Sequence, residues 1–517
     1  MSMQINVLEY FEKNTLLRSP RKTAIIDGEK SYTHKEVEVL AKRIASVIAR
    51  KGIGTRRPVA VFLPKGAGVV VADLGIAYSG NIYVNLDIKS PAQRMKRLLD
   101  NIGPDLVITA GEFEGSLAGL GLAADRLILI ESAAAEDVAY DNGEILSRLE
   151  GLLDTDPLCI INTSGSTGLQ KSVVLNHRSF IDFTDWAVDR LRIGEDEVIG
   201  SLSPVFFDIY SFELCLMLAR GSTIVFIPDK LAGFPARIVE FLTRQGINFI
   251  FWVPTVMVNI ANLDILGKVE PPPLRKVIFA GEVFPTKHLN YWRRRLPGAT
   301  FVNLYGPIEI TLDCTYYVLE REFSDDEPVP IGFPCRNTDI LILNDEDRPA
   351  GTGEPGELCV RGTGLAMGYW NDPVNTAKAF VRNPLNPHYP ETIYRTGDLV
   401  YRNERSEIMF IGRKDFQIKH LGYRIELGEV EHAVLSAIEA IDNACVLYHK
   451  EKKEIVLVYE AKKEIPLADL RQRLLQLLPK YMIPTAFHRL AEMPRNPNGK
   501  IDRNLLNSRL QEGRPWT

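Results

Sequence analysis

Apolar runs of strand length alternate with helix-periodic stretches along most of this chain, and that alternation constrains the fold more than any other feature. Tyr32-Thr33-His34-Lys35-Glu36-Val37-Glu38-Val39-Leu40-Ala41 predicts an amphipathic helix in which Thr33 and Glu36 have capping-box spacing. Pro58-Val59-Ala60-Val61-Phe62-Leu63 predicts a buried strand, residues 67–78 a helix, and Asp105-Leu106-Val107-Ile108-Thr109 another strand. The pattern continues through Ser222-Thr223-Ile224-Val225-Phe226-Ile227, a helix over 238–245, Phe249-Ile250-Phe251 and Lys276-Val277-Ile278-Phe279. Repeated βα units of this kind build parallel sheets covered by helices, because each parallel connection needs a crossover.

After about residue 325 the texture changes to short strands and turns, such as Asp339-Ile340-Leu341-Ile342-Leu343 and Gly356-Glu357-Leu358-Cys359-Val360, which predicts a small β-rich subdomain over about 325–414. The end of the chain returns to mixed α+β, with helices over 429–436 and 467–478 and a strand at Glu454-Ile455-Val456-Leu457-Val458-Tyr459. The class is therefore α/β. At 517 residues the chain exceeds the 250–300 residues or so that one core serves, so two or more domains are expected.

Composition excludes several roles. A net charge of −5 without long blocks of one sign gives no footprint for nucleic acid. No apolar run reaches membrane-spanning length: Phe249-Ile250-Phe251-Trp252-Val253 meets Pro254, and Val69-Val70-Val71-Ala72 meets Asp73. The first residues have neither the basic front nor the apolar core of a secretory signal. The six cysteines lie far apart without Cys-x-x-Cys spacing, so neither a zinc site nor a disulfide framework is indicated and a reducing cytoplasm is expected.

Chemistry concentrates at Asn162-Thr163-Ser164-Gly165-Ser166-Thr167-Gly168-Leu169-Gln170-Lys171, which follows the apolar run Leu158-Cys159-Ile160-Ile161. Glycines let the backbone curl its amides inward, hydroxyls add donors, and the lysine adds positive charge, which together suit a polyphosphate. It is not a Walker loop, which places its lysine directly after the second glycine. Read alone, a flexible Ser/Gly-rich loop has the same composition. Further on, Tyr394-Arg395-Thr396-Gly397-Asp398-Leu399 and Gly412-Arg413-Lys414-Asp415-Phe416-Gln417-Ile418-Lys419 fit either a rotating domain boundary or a hairpin with solvated charges.

Taken with Asn303-Leu304-Tyr305-Gly306-Pro307-Ile308-Glu309 and Asn498-Gly499-Lys500-Ile501-Asp502, these segments in this order resemble the adenylate-forming superfamily of acyl-CoA synthetases, luciferases and nonribosomal-peptide adenylation domains. The resemblance implies an adenylation core over 1–414 and a mobile C-terminal domain over 415–517 that carries the catalytic lysine. It implies ATP and Mg2+, with Thr163, Ser164, Gly165, Ser166, Thr167, Gly168 and Lys171 holding the β- and γ-phosphates. Glu309, assisted by Thr167, would hold the magnesium, which prefers oxygen ligands. Tyr305 would stack on adenine, with Asn303, Gly306 and the Gly281-Glu282 turn beside it. Asp398 would accept from the ribose hydroxyls and Arg413 would support ribose or phosphate. Lys500 would bridge the substrate carboxylate and α-phosphate as charge builds there, acting with Lys171 and Glu309; an exposed surface lysine is the plainer reading. Asp415 resembles the family hinge, with Lys419 and Gly422 on the face presented for a second, thioester-forming step.

In amino-acid-activating relatives a Phe-Asp aspartate pairs with the α-ammonium, and Phe207-Asp208-Ile209-Tyr210-Ser211 fits that pattern. A carboxylate in an apolar stretch calls for a cationic partner; a helix N-cap at Asp208 is the alternative. The other pocket walls implied are Ile209, Phe212, Phe251, Ile278, Ala280, Leu304, Leu312 and Asp313. Bulky apolar walls leave little room for a side chain, and Asp313 adds one acceptor. That set resembles serine-selecting pockets, with alanine, glycine or proline next and a cationic side chain possible through Asp313.

No carrier segment follows Lys500 before Thr517, so transfer to the phosphopantetheine thiol of a separate carrier protein is expected. The stretch 418–426 resembles stand-alone D-alanine-carrier-protein ligases, from which Asp313 departs. Ile308 stands where the family has threonine, Leu169-Gln170 where it commonly has a residue and proline, and Ser172 where it has glycine. An acyl- or aryl-CoA ligase of the same fold, or a weakly active nucleotide-binding relative, are the alternatives.

Overall fold

The computed structural model describes residues 4–164, 170–496 and 501–516. It divides into two compact units, the first made of Met1–Ile88, Gly103–Ile161 and Ser172–Lys414, the second of Lys89–Ile102, Asn162–Lys171 and Asp415–Thr517.

Two large sheets organise the first unit. A nine-stranded sheet runs through Thr23–Asp27, Thr223–Phe226, Val198–Ser201, Phe249–Trp252, Lys276–Phe279 and Thr300–Tyr305, all parallel, with antiparallel strands at both edges. In the seven-stranded sheet Pro58–Phe62 lies between Ile82–Asn85 and Leu106–Thr109, again parallel. Alternate residues of the nine-stranded sheet enter two different cores, as the two-residue strand period requires. Ile224, Phe226, Phe249, Phe251 and Ile278 join the core shared with the seven-stranded sheet, while Val225, Ile227, Ile250, Trp252, Val277 and Phe279 pack under the helices Pro235–Arg244, Pro254–Asn262 and Thr286–Arg295. Burial on both faces explains why these strands read as continuous apolar runs. The helices Ala67–Tyr78 and Asp208–Arg220 are apolar nearly all round because they lie inside the shared core.

The sheet of short strands after residue 325 is antiparallel: Thr338–Leu343, Gly356–Gly362, Thr392–Arg402 and Phe380–Arg382, with Ile408–Arg413 paired on Thr392–Arg402. In the second unit the hairpin Gln417–His420/Tyr423–Glu426 turns through Leu421 and Gly422, both at positive φ (54° and 83°), as a two-residue type I′ turn requires. Its three-stranded sheet, Asn443–His449, Glu454–Glu460 and Ala486–Leu490, packs helices Leu427–Ala437 and Leu467–Leu475 on one face and Arg503–Glu512 on the other.

Three details correct the sequence reading. Tyr32 belongs to the strand Lys30–Thr33, and the helix begins at His34 behind the full Thr33/Glu36 capping box. The helix from Leu467 stops at Leu475 rather than 478, ahead of Pro479, which disfavours helical backbone before it. The charges flanking Gly397 are not all solvated: Asp398 is buried. The six cysteines are buried free thiols, and among the described residues no helix is long and apolar enough to cross a membrane.

Candidate functional site

In the first unit, strand Thr300–Tyr305 delivers Asn303, Leu304 and Tyr305, then Gly306 and Pro307 lead into a short 3-10 turn, Ile308–Ile310. Any side chain at Gly306 would sit 2.3 Å from the Leu312 carbonyl oxygen, so only glycine lets the chain fold back here. Thr311 and Leu312 take positive φ values of 54° and 64°. For a β-branched residue such as Thr311 that is strained backbone, costing on the order of 1–3 kcal/mol. The strained turn carries the chain from Glu309 to Leu312 and Asp313, all three buried.

Glu309 is fully buried, and its carboxylate accepts a hydrogen bond from the Tyr369 hydroxyl at 2.9 Å. Asp398 accepts from the Tyr305 hydroxyl at 2.5 Å and from Arg413 at 2.9 Å. Strand pairing places Asp398 directly opposite Arg413. Burial and the Asp398 charge push the Tyr305 phenol well above its ordinary value, so it stays a donor. The predicted adenine, ribose and support residues are thus one hydrogen-bonded group, and each Asp398 oxygen keeps a further lone pair for a sugar hydroxyl. Asn303 is buried, donating to the Pro330 carbonyl at 2.8 Å. Gly281 takes φ +89°, which suits the predicted turn. The Glu282 carboxylate is engaged elsewhere: it accepts from the Thr255 amide at 3.1 Å and hydroxyl at 2.5 Å, at the start of helix Pro254–Asn262.

Ile209, Phe212, Phe251, Ile278, Ala280, Leu304 and Leu312 are all buried members of the one core cluster shared by the two large sheets. Phe251 and Ile278 are paired neighbours on parallel strands. Phe212 meets Phe251 edge-on at 6.0 Å and Phe183 at 5.2 Å, and Phe183 in turn meets Trp186 at 5.2 Å. The sequence reading missed Phe183 and Trp186; the apolar spacing Phe180, Phe183, Ala187 on helix His177–Arg190 was the available signal. Asp208 is the first residue of helix Asp208–Arg220, whose N-cap is Phe207, and its Oδ1 accepts from the Ile209 amide at 3.0 Å. It is half-buried rather than fully buried, so part of the desolvation cost argued from sequence is relieved by solvent and by the helix terminus.

In the second unit, Thr163 and Ser164 are buried and Lys171 is half-buried. Asp415 is exposed and its Oδ1 accepts from the Gln417 amide at 3.1 Å. Lys419 lies on the hairpin and Gly422 at its turn. Gly165, Ser166, Thr167, Gly168 and Lys500 lie outside the described residues. Among the described residues no cluster of three His, Cys, Asp or Glu could hold a metal by itself. Magnesium carried on nucleotide phosphates needs only one or two protein carboxylates, and Glu309 offers one.

A mixed α/β chain in which a buried tyrosine and a half-buried arginine both donate to one buried aspartate, and a buried glutamate follows the tyrosine's strand, has the framework of an adenylate-forming enzyme. Residues 12–370 match the family model described as AMP-binding enzyme, and the chain belongs to that family. It is 31% identical to Zwittermicin A synthase ZmaJ of Bacillus cereus over 517 residues, covering 98% of this chain and 95% of that protein. It is also 31% identical to Tyrocidine synthase 1 of Brevibacillus parabrevis over 490 residues, covering 94% of this chain but only 43% of that protein. Among solved structures, the Vibrio cholerae adenylation domain AlmE, in complex with glycyl-adenosine-5'-phosphate, superposes with a TM-score of 0.82 at 21% identity over 98% of this chain and 99% of that one. The chain is thus an adenylation domain of the nonribosomal-peptide type, a class that uses ATP and Mg2+.

Proposed function

We propose that this protein activates a small neutral amino acid, serine first, as its aminoacyl adenylate and passes it to the phosphopantetheine thiol of a separate carrier protein. One observation carries the reading: Asp208 opens the helix that contributes Ile209 and Phe212 to a buried apolar cluster, and the buried Asp313 directly follows Leu312 of the same cluster. A carboxylate at a half-buried helix start suits an ammonium group, and one acceptor among bulky apolar residues suits a hydroxyl on a short side chain.

In this reading the substrate carboxylate attacks the α-phosphorus of ATP and pyrophosphate leaves. Tyr305, Asn303, Gly306 and the backbone of the Gly281-Glu282 turn orient adenine, while Asp398 and Arg413 hold the ribose. Thr163, Ser164, Gly165, Ser166, Thr167, Gly168 and Lys171 hold the outgoing phosphates, with Glu309 and Thr167 on the magnesium. Lys500 stabilises charge at the α-phosphate. Asp415 serves as the hinge between a core at 1–414 and a C-terminal domain at 415–517, with Lys419 and Gly422 facing the second step. AlmE was solved with the adenylate of glycine, another small amino acid, which supports the substrate class.

The test is amino-acid-dependent ATP–pyrophosphate exchange over all proteinogenic amino acids and their des-amino acids. Serine is expected to give the highest rate, with alanine and glycine below it. Exchange only with acids lacking an amine would overturn the reading.

A further inference from the structure

Ser164 and Lys171 flank the predicted phosphate loop, and in this structure both are engaged by the hairpin Gln417–His420/Tyr423–Glu426. The Ser164 hydroxyl donates to the Arg424 carbonyl at 2.6 Å and accepts from the Glu426 amide at 3.1 Å, so it is used in both directions. The Lys171 ammonium stands 3.7 Å from the Glu426 carboxylate. That carboxylate is itself held in place: the Gln417 side-chain amide donates to it at 2.7 Å across the paired positions Gln417 and Glu426. The type I′ turn fixes the register that makes this pairing possible.

We propose that Glu426 is a positioning residue for Lys171, occupying the lysine with a carboxylate until a polyphosphate takes its place. The inference rests on the reading of Lys171 as a phosphate ligand and adds what controls it. A carboxylate presents two anionic oxygens to an ammonium much as a phosphate does, so the two compete for one cation. The apparent affinity for ATP is then reduced by the fraction of molecules in which Lys171 is paired with Glu426. The Lys171 side chain is 20% exposed and that of Glu426 10%, so solvent screens the pair in part. Release of pyrophosphate and return of Glu426 to Lys171 are linked in the same way, since the carboxylate takes the place that the leaving group vacates on the ammonium.

The experiment is ATP–pyrophosphate exchange with the full chain and its E426Q, E426D, K171A and K171A/E426Q variants, with KM for ATP and kcat measured separately. Glutamine keeps the Gln417 contact and removes the charge. E426Q is expected to lower KM for ATP by about two- to fivefold, the range for a partly screened ion pair, with kcat unchanged. E426D, which keeps the charge, is expected to stay closer to the parent value. K171A is expected to raise KM for ATP, and adding E426Q to it is expected to bring no further change, since the two residues act through one contact. Calorimetric titration of ATP into the same proteins, with melting curves that coincide, separates binding from misfolding. An unchanged KM in E426Q, or an equal drop in the K171A background, would overturn the proposal. If K171A itself leaves KM for ATP unaltered, the reading of Lys171 fails first and the proposal falls with it.

Discussion

The group around Tyr305, Asp398 and Arg413 and the group around Ser164, Lys171 and Glu426 both bring together residues distant in sequence, but they are held in opposite ways. In the first, Asp398 and Arg413 face each other on paired strands and the buried Tyr305 reaches Asp398 from a neighbouring sheet, with hydrogen bonds of 2.5 and 2.9 Å. The second joins a hairpin to a half-buried lysine at 3.7 Å. Buried, hydrogen-bonded polar groups are fixed because leaving them unpaired is expensive, whereas partly solvated charges exchange partners at little cost. In the proposed function, this difference suits a nucleotide grip that must be ready before ATP arrives and a phosphate contact that must let go.

The strongest way to break this contrast is D398A. It removes the shared acceptor of Tyr305 and Arg413, and a loss of about 3 kcal/mol in urea unfolding is expected, since a buried charged network is left half made. Pyrophosphate exchange should fall with it. A loss as small as that caused by E426Q would show that the two groups are equally loose.

Core acids offer a smaller, pH-dependent test of how burial governs these side chains. Glu213 lies fully buried in helix Asp208–Arg220, and burial raises its carboxyl from 4.5 to about 7, against the opposing effects of the nearby Ser201 hydroxyl and the Lys65 charge. Asp73 is likewise raised to about 7 by burial, opposed by hydrogen bonds from Asn85 and Tyr210. A folded value above the unfolded one means that the fold binds the proton more tightly. The resulting stabilisation is complete below the unfolded value and is lost as pH rises through about 7. Between pH 5 and 9, roughly, E213Q should lose about 2–3 kcal/mol less stability than the parent, as a tenfold difference in proton affinity between the folded and unfolded chain is worth about 1.4 kcal/mol. Parallel stability profiles in the two proteins would show that Glu213 ionises in the fold without penalty.

The smallest expected effect is at the pocket. D313N should reduce the preference for serine over alanine by about tenfold, the worth of one hydrogen bond to a charged acceptor. An unchanged preference would remove Asp313 from the choice of side chain.

Much of the architecture was legible because burial writes itself into periodicity. Helix Ala67–Tyr78 coincides with its predicted span, and the strand Lys276–Phe279 likewise, since each is a run whose neighbours change character sharply. The proposed pocket walls from Ile209 to Leu312 came from the family resemblance, and the structure shows all seven apolar members buried in the core shared by the two large sheets. What composition could not reveal were pairings set by register and by distant chain. Tyr305 and Asp398 are 93 residues apart and meet across two sheets' strands. Ser164 and Glu426 are 262 apart and meet at a hairpin. The Glu282 carboxylate accepts from the amide at the start of helix Pro254–Asn262, a pairing between residues 27 apart that the motif does not show. The strain at Thr311 and Leu312 also escaped the sequence, because neither residue type advertises positive φ.

The central claim, that Asp208 receives the ammonium of an amino acid, is tested most directly by serine-dependent pyrophosphate exchange in D208A. The account predicts that activity with serine is lost while the protein keeps its melting temperature and still binds ATP. Exchange at the parent rate in D208A would contradict it.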